Sequence, residues 1–328
     1  FRDEELLNSK KEFYYEETAN KFKLVAPNQR PFAFINSIAR RCNSKEYNDA
    51  PTFLFYETTR GYFFRTLDSM MDRKNPKMVF RELTPNEADM RKRRDLLLQN
   101  ILQYDVVGTT DTMASRRSGM YSSKLLLLDL LNKGYEEYDY DYLEEFDNDI
   151  HVDEHNRYGS EQAPVVSEMV DDYNNKISEY PESVYYVQTI DKDGLFDGAY
   201  EGSFDYKGTD KWLQRRKSRF ASLNSSVALR VRIHGNTTLQ AGDLVGIVIN
   251  DTKTGENDQT LTGRYLVRKL HHVFTRGSGK LTHTILMDCV RDTVQTKYPD
   301  QGVAVSDGGS SIEEIIPKGS SDPADIIF

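Results

Sequence analysis

The chain has 328 residues, enough for two or three domains with cores of their own. Hydrophobic residues make up 38% and charged residues 29%, and the formal net charge is −9. That balance argues against a general nucleic-acid binder, which needs Lys and Arg to displace counterions. No apolar run approaches the roughly 20 residues needed to span a bilayer, so membrane insertion by this chain is not expected. Nor is a signal peptide visible. Cys42 and Cys289 stand on distant segments. They read as two small buried apolar residues made in a reducing compartment rather than as a disulfide framework.

Along the chain, Asp3–Phe13 is compatible with a helix. Pro31 suits a first helical turn, and Phe32, Ile35, Ile38, Ala39 and Cys42 share one face, which predicts an amphipathic helix over 31–43. Two aromatic-rich runs, Thr52–Glu57 and Tyr62–Leu67, flank a turn at Arg60-Gly61 and read as a β-hairpin. Residues 68–92 read as a charged connection. Leu96–Val107 reads as a helix running into a strand, and 119–131 as a second apolar stretch. The acidic, tyrosine-rich run 135–149 reads as a solvated loop or the outer face of a strand. Val184–Thr189 is a predicted strand. Trp212-Leu213 opens a basic helix carrying Arg215, Arg216, Lys217 and Arg219. Those cations are either a solvated face or a patch that meets an acidic neighbour.

The last third is the most regular. Val227, Leu229, Val231 and Ile233 alternate with Ala228, Arg230, Arg232 and His234, the pattern of a half-buried strand. Strands are also predicted at Leu244–Ile249, Arg264–Phe274 and Leu281–Val290. With short turns between them they predict an antiparallel meander closing into part of a barrel. Residues 297–328, with Gly308-Gly309-Ser310-Ser311, read as an extended tail.

Motifs for chemistry are weak. His151-Val152-Asp153-Glu154-His155 matches H-x-x-E-H, but its polar surroundings offer no apolar face to dock such a helix. His271-His272 sits in a predicted strand, where adjacent side chains diverge, so one buried and one exposed histidine is expected. Neither a phosphate-binding glycine loop nor a nucleophile elbow is present, and nothing singles out a carboxylate pair. No catalytic residue, cofactor or metal is expected.

Taken together, these segments resemble the hub proteins of T-even-type contractile phage baseplates. The resemblance runs through Val25-Ala26-Pro27-Asn28, Arg30-Pro31-Phe32, Phe53–Tyr56 and Gly61-Tyr62-Phe63-Phe64. It is stronger in Trp212…Arg216, Val231-Arg232-Ile233-His234-Gly235-Asn236, Leu239…Gly242-Asp243-Leu244-Val245, Gly263-Arg264-Tyr265-Leu266-Val267, His271-His272 and Met287-Asp288-Cys289-Val290-Arg291-Asp292.

The resemblance implies an α+β, mainly antiparallel β fold, in which a tail-tube-like β-barrel is interrupted by a peripheral domain. Residues 1–30 would be the remnant of an N-terminal region, with the family's first barrel not seen. Residues 31–93 with 141–223 would form the peripheral domain, 94–140 with 224–296 the barrel, and 297–328 the tail. It further implies a non-enzymatic homotrimer in the virion tail, synthesised in the host bacterial cytoplasm. Its expected partners are the tail tube or its initiator, the central spike and other baseplate proteins, with DNA only passing through the lumen. Arginine and aromatic side chains anchor such interfaces. The candidate contact residues are Arg215, Arg216, Arg219, Arg230, Arg232, His234, Tyr138 and Tyr140. Alternative readings are a subunit of a non-viral contractile injection machine and a tail-associated cell-wall hydrolase.

Overall fold

The computed structural model describes residues 8–19, 28–82, 94–108, 110–129, 133–153, 163–164, 175–190, 209–250, 257–258, 260–277 and 280–294. In chain order the elements are β1 (Glu12–Tyr15), α1 (Pro31–Ala39), β2 (Leu54–Glu57), β3 (Gly61–Arg65), α2 (Leu67–Met71), β4 (Val79–Arg81) and α3 (Arg94–Gln99). There follow β5 (Ile101–Gly108), α4 (Thr112–Arg117), β6 (Ser122–Asp129), β7 (Gly134–Asp141), α5 (Tyr142–Glu145), β8 (Ala163–Pro164) and β9 (Tyr185–Ile190). The last are α6 (Thr209–Ser225), β10 (Ala228–His234), β11 (Leu244–Val248), β12 (Gly263–Gly277), β13 (Lys280–Val290) and β14 (Thr293–Val294). Of the described residues 43% are strand and 22% helix, a mixed α+β fold rich in antiparallel pairs.

The main sheet has six strands in the order β4-β11-β12-β13-β10-β5. Alternation in the sequence explains its core. Leu229, Val231 and Ile233 of β10 point to one side, and Cys289, Met287 and Ile285 of β13 stand opposite them. With Tyr265, Val267, Val245, Ile247, Phe80 and Ile101 they make one dry cluster inside the curl of the sheet. The sheet curls into a half-barrel, and an isolated parallel bridge joins Arg81 of β4 to Asn100, next to β5. A turn at Gly242 allows β11 to start. Its φ is +83°, and an added Cβ would collide with the Tyr56 hydroxyl, so only glycine fits without strain.

The connectivity differs from a simple meander. β11, β12 and β13 follow one another, but β10 pairs with β13 rather than with β11. Alternation predicts strands and faces; it carries no information about which neighbour a strand chooses. Two segments also lie elsewhere than the predicted division of the chain would put them. β4, from 79–81, pairs parallel with β11 at an edge of the main sheet. β6 and β7 join a separate sheet of order β7-β6-β9, through a parallel pairing of β6 with β9. Thus of 94–140 it is α3 and β5 that accompany the half-barrel. Residues 12–15 are a strand parallel to β3, not the end of a helix.

Helices fill the space between sheets. α2 and the end of α6 cover the outer side of the main sheet through Leu67, Met70, Met71, Leu223, Ala228, Leu244, Leu266 and Val290. The opposite flank of α6 meets the β7-β6-β9 sheet, where Leu213 packs on Leu125, Leu127, Tyr138 and Tyr186. Gln214 ties the two together by donating to the Ser123 and Tyr138 carbonyls at 2.9 and 3.3 Å. The predicted tail lies outside the described residues.

Candidate assembly surface

Arg215 and Arg219 are buried and Arg216 is half-buried, while Lys217 is exposed, so the three arginines form neither the solvated face nor the cationic patch expected of this helix. Arg219 is fully buried. It donates to Asp292 Oδ2 at 2.8 Å and to the Ile150 carbonyl at 2.6 Å, and lies 3.4 Å from Asp149 and 3.6 Å from Asp68. Arg215 donates to Asp149 at 2.6 and 2.8 Å and to the carbonyls of Asn48 and Asn148. Arg216 donates to the carbonyls of Ala39, Pro51 and Phe53. Arg215 and Arg219 together hold the 148–150 loop on α6, and Arg215 and Arg216 hold the stretch 48–53 there. Tyr140, also a candidate contact residue, is buried with Met120, Tyr121, Tyr142 and Phe146. A run of Lys and Arg with few apolar neighbours usually lies in solvent; here the carboxylates around the buried arginines come from segments 66 to 151 residues away, which local sequence does not reveal.

His151 belongs to the same junction. Its Nε2 donates to the Phe146 carbonyl at 2.8 Å, which fixes a proton there. Its Nδ1 lies 2.9 Å from Asp292 Oδ2 and 3.0 Å from Arg219 Nη1. The ring is thus satisfied either as a donor to the carboxylate or as an acceptor from the guanidinium. Burial pushes the Asp292 carboxyl up, but its neighbours His151 and Arg219 and the Val152 amide overcome this and hold it well below the usual carboxylate range. His151, Val152 and Asp153 are all buried, so the segment does dock, though not as a helix. Glu154 and His155, the rest of the H-x-x-E-H match, lie outside the described residues. Among the described residues no group of three or more His, Cys, Asp or Glu could hold a metal ion. Both cysteines are free and buried. Burial, opposed by the Arg216 charge, pushes the Cys42 thiol up to about 12, which leaves it inert.

The predicted residues of β10 do share a surface. Arg230, Arg232 and His234 lie on the side of the strand away from the core, opposite Asp288, Leu286 and Thr284 of β13. Across β13 stand Lys269, His271 and Val273 of β12. A bulge at Arg268 adds a further cation. Arg230 donates to Asp288 at 2.8 Å, and this bond, outweighing partial burial, holds that carboxyl low, with help from Arg268 and Lys269. Near Ala228, Leu266 and Val290 this outer side is dry beneath α2 and α6. Further along, Arg232, Lys269, His271 and Val273 are exposed. Arg268 and Lys269 were not singled out from sequence, because their place beside Arg230 and Arg232 depends on the register of β12.

The β12–β13 hairpin outruns the sheet. β11 pairs with β12 only over Gly263–Leu266, and β10 reaches β13 only as far as Thr284, whereas the hairpin continues to Gly277 and Lys280. Its core-side face carries Phe274, 60% exposed, and Leu281, 70% exposed. His272 and His283 meet there with ring nitrogens 3.0 Å apart, and Phe274 stacks on His283. Both His271 and His272 are exposed, which corrects the expectation that one is buried. Tyr138, half-buried, donates to Glu136 at 2.9 Å on the rim of the other sheet. No family model matches the chain, and no curated protein matches it.

Proposed function

We propose that this chain is a structural baseplate hub subunit of a contractile phage tail. In this reading it is a homotrimer that joins the central spike to the tail tube, and DNA passes through its lumen. It acts in the virion, by assembly rather than catalysis. The observation that carries the reading is the β12–β13 hairpin. From Arg268 onward no strand among the described residues pairs with the second edge of β12, and the end of the hairpin exposes Phe274 and Leu281. A long open edge with apolar side chains is an aggregation hazard in a free monomer, and a neighbouring subunit removes the hazard by covering it. The curled sheet suits a ring subunit, and the resemblance of the β10–β13 segments to tail hubs supplies the identity of that ring. A net charge of −9 would let DNA slide past without sticking.

Light scattering on the full chain, alone and with the products of its neighbouring genes, tests this. A trimer, or a trimer that recruits the spike, is the expected result. A stable monomer that binds none of those products would sink the proposal.

A further inference from the structure

The acidic tyrosine-rich strand β7 lies in a sheet whose outer face is turned away from α6. In the β7-β6-β9 sheet, Leu125 and Leu127 face α6, so Lys124, Leu126 and Leu128 face outward. Beside them stand Tyr135, Glu137 and Asp139 of β7, and Tyr185 and Val187 of β9. Tyr135 is 67% exposed, Tyr185 52% and Val187 59%. Lys124 sits amid Glu137, Asp139 and Glu182 at 3.4 to 3.6 Å, so the face is apolar and carries a net negative charge. The open part of the half-barrel's outer side is its counterpart. Val273 and Leu286 there are flanked by Arg230, Arg232, Arg268 and Lys269 against Asp288 and Asp105.

We infer that the outer face of the β7-β6-β9 sheet in one copy docks on the open outer side of β10, β13 and β12 in the next copy. Two copies each carrying −9 repel one another at long range. Contact therefore requires a locally positive surface, and the β10–β12–β13 side supplies one. Both surfaces are sheet faces, which pack about 10 Å apart with interleaved side chains. The Tyr and Val side chains provide apolar contact, while the charges set register and exclude like-with-like pairing. Because the two patches differ, the contact is head-to-tail and propagates around a ring. This inference rests on the ring reading proposed above, and it names the surfaces that close the ring.

Charge exchange tests it, because all four target side chains are exposed and their loss leaves the folded chain intact. Glu137→Lys with Asp139→Lys makes both patches basic; Arg232→Glu with Lys269→Glu makes both acidic. Each pair is expected to weaken self-association by about a hundredfold or more, with an unchanged far-ultraviolet circular dichroism spectrum. The chain carrying all four substitutions has its charges exchanged and is expected to regain the wild-type mass. Wild-type mass in either pair alone would overturn the inference, as would failure of the fourfold variant to recover. A wild-type chain that is itself monomeric would overturn the ring reading as well, so the two failures are distinguishable.

Discussion

Arg219 shows what a single side chain contributes when its charge is surrounded. Removing one partner of a buried ion pair leaves the others without compensation, which costs about 3–5 kcal/mol. Arg219→Met would take the shared guanidinium from Asp68, Asp149 and Asp292, of which Asp149 keeps Arg215 and Asp292 keeps His151, and its urea midpoint should drop by a corresponding amount. A variant as stable as the wild type would show that the carboxylates reach solvent. Asp292 adds a pH dependence. Its folded-state pKa is depressed, so the unfolded chain binds more protons in acid, and stability rises with pH there. The contribution is complete above the unfolded value of about 3.9 and is lost as pH falls through the folded value. Urea midpoints measured from pH 6 to pH 3 should fall, and Asp292→Asn should flatten that slope. Tyr142 is the opposite case. Its hydroxyl is buried with no hydrogen-bond partner among the described residues, so Tyr142→Phe removes a desolvated group without breaking a bond there. Thermal unfolding should show equal or higher stability, and a loss of more than about 1 kcal/mol would reveal a hidden partner.

At the scale of elements, β10 tests the pleat directly. Val231 is fully buried and Arg232 exposed, one residue apart. Val231→Asp puts a carboxylate in the core at a cost of several kcal/mol and should abolish soluble expression. Arg232→Asp should express as a soluble, folded chain with the wild-type circular dichroism spectrum. Equal behaviour of the two variants would mean the strand is off register by one residue. This strand was legible in sequence because its alternation is strict, and so were α1, the β2–β3 hairpin, β9 and the β12–β13 hairpin. The faces of α6 were not. Its Arg, Lys and Ser residues look solvated, and only the fold brings Asp68, Asp149 and Asp292 together around Arg219. The acidic strand β7 was half legible. Tyr135 faces outward as expected, but Tyr140 is buried and Tyr142, just beyond the strand, enters the core beside Phe146.

At the scale of the whole molecule, partition of the chain into sheets was the least legible feature. β6 pairs with β9 across a gap of more than 50 residues, and β4 pairs parallel with β11 across more than 160. Such pairings depend on chain closure and packing rather than on any local pattern. What the same architecture leaves open is the hairpin tip, where folding and assembly make separable demands. Phe274 and Leu281 lie past the last pairing of β10 with β13, so they add little to the core. Exposed substitutions away from the core change stability by no more than about 0.5 kcal/mol. Phe274→Lys with Leu281→Lys should therefore leave the urea midpoint of the isolated chain unchanged. In the assembly the same pair would bury two ammonium groups or break the contact. Light scattering of the variant with the products of neighbouring genes should then show loss of the higher-mass complex. If the complex forms at the wild-type concentration, the tip is not a contact, and the open edge of β12 must be covered by a segment of the chain itself.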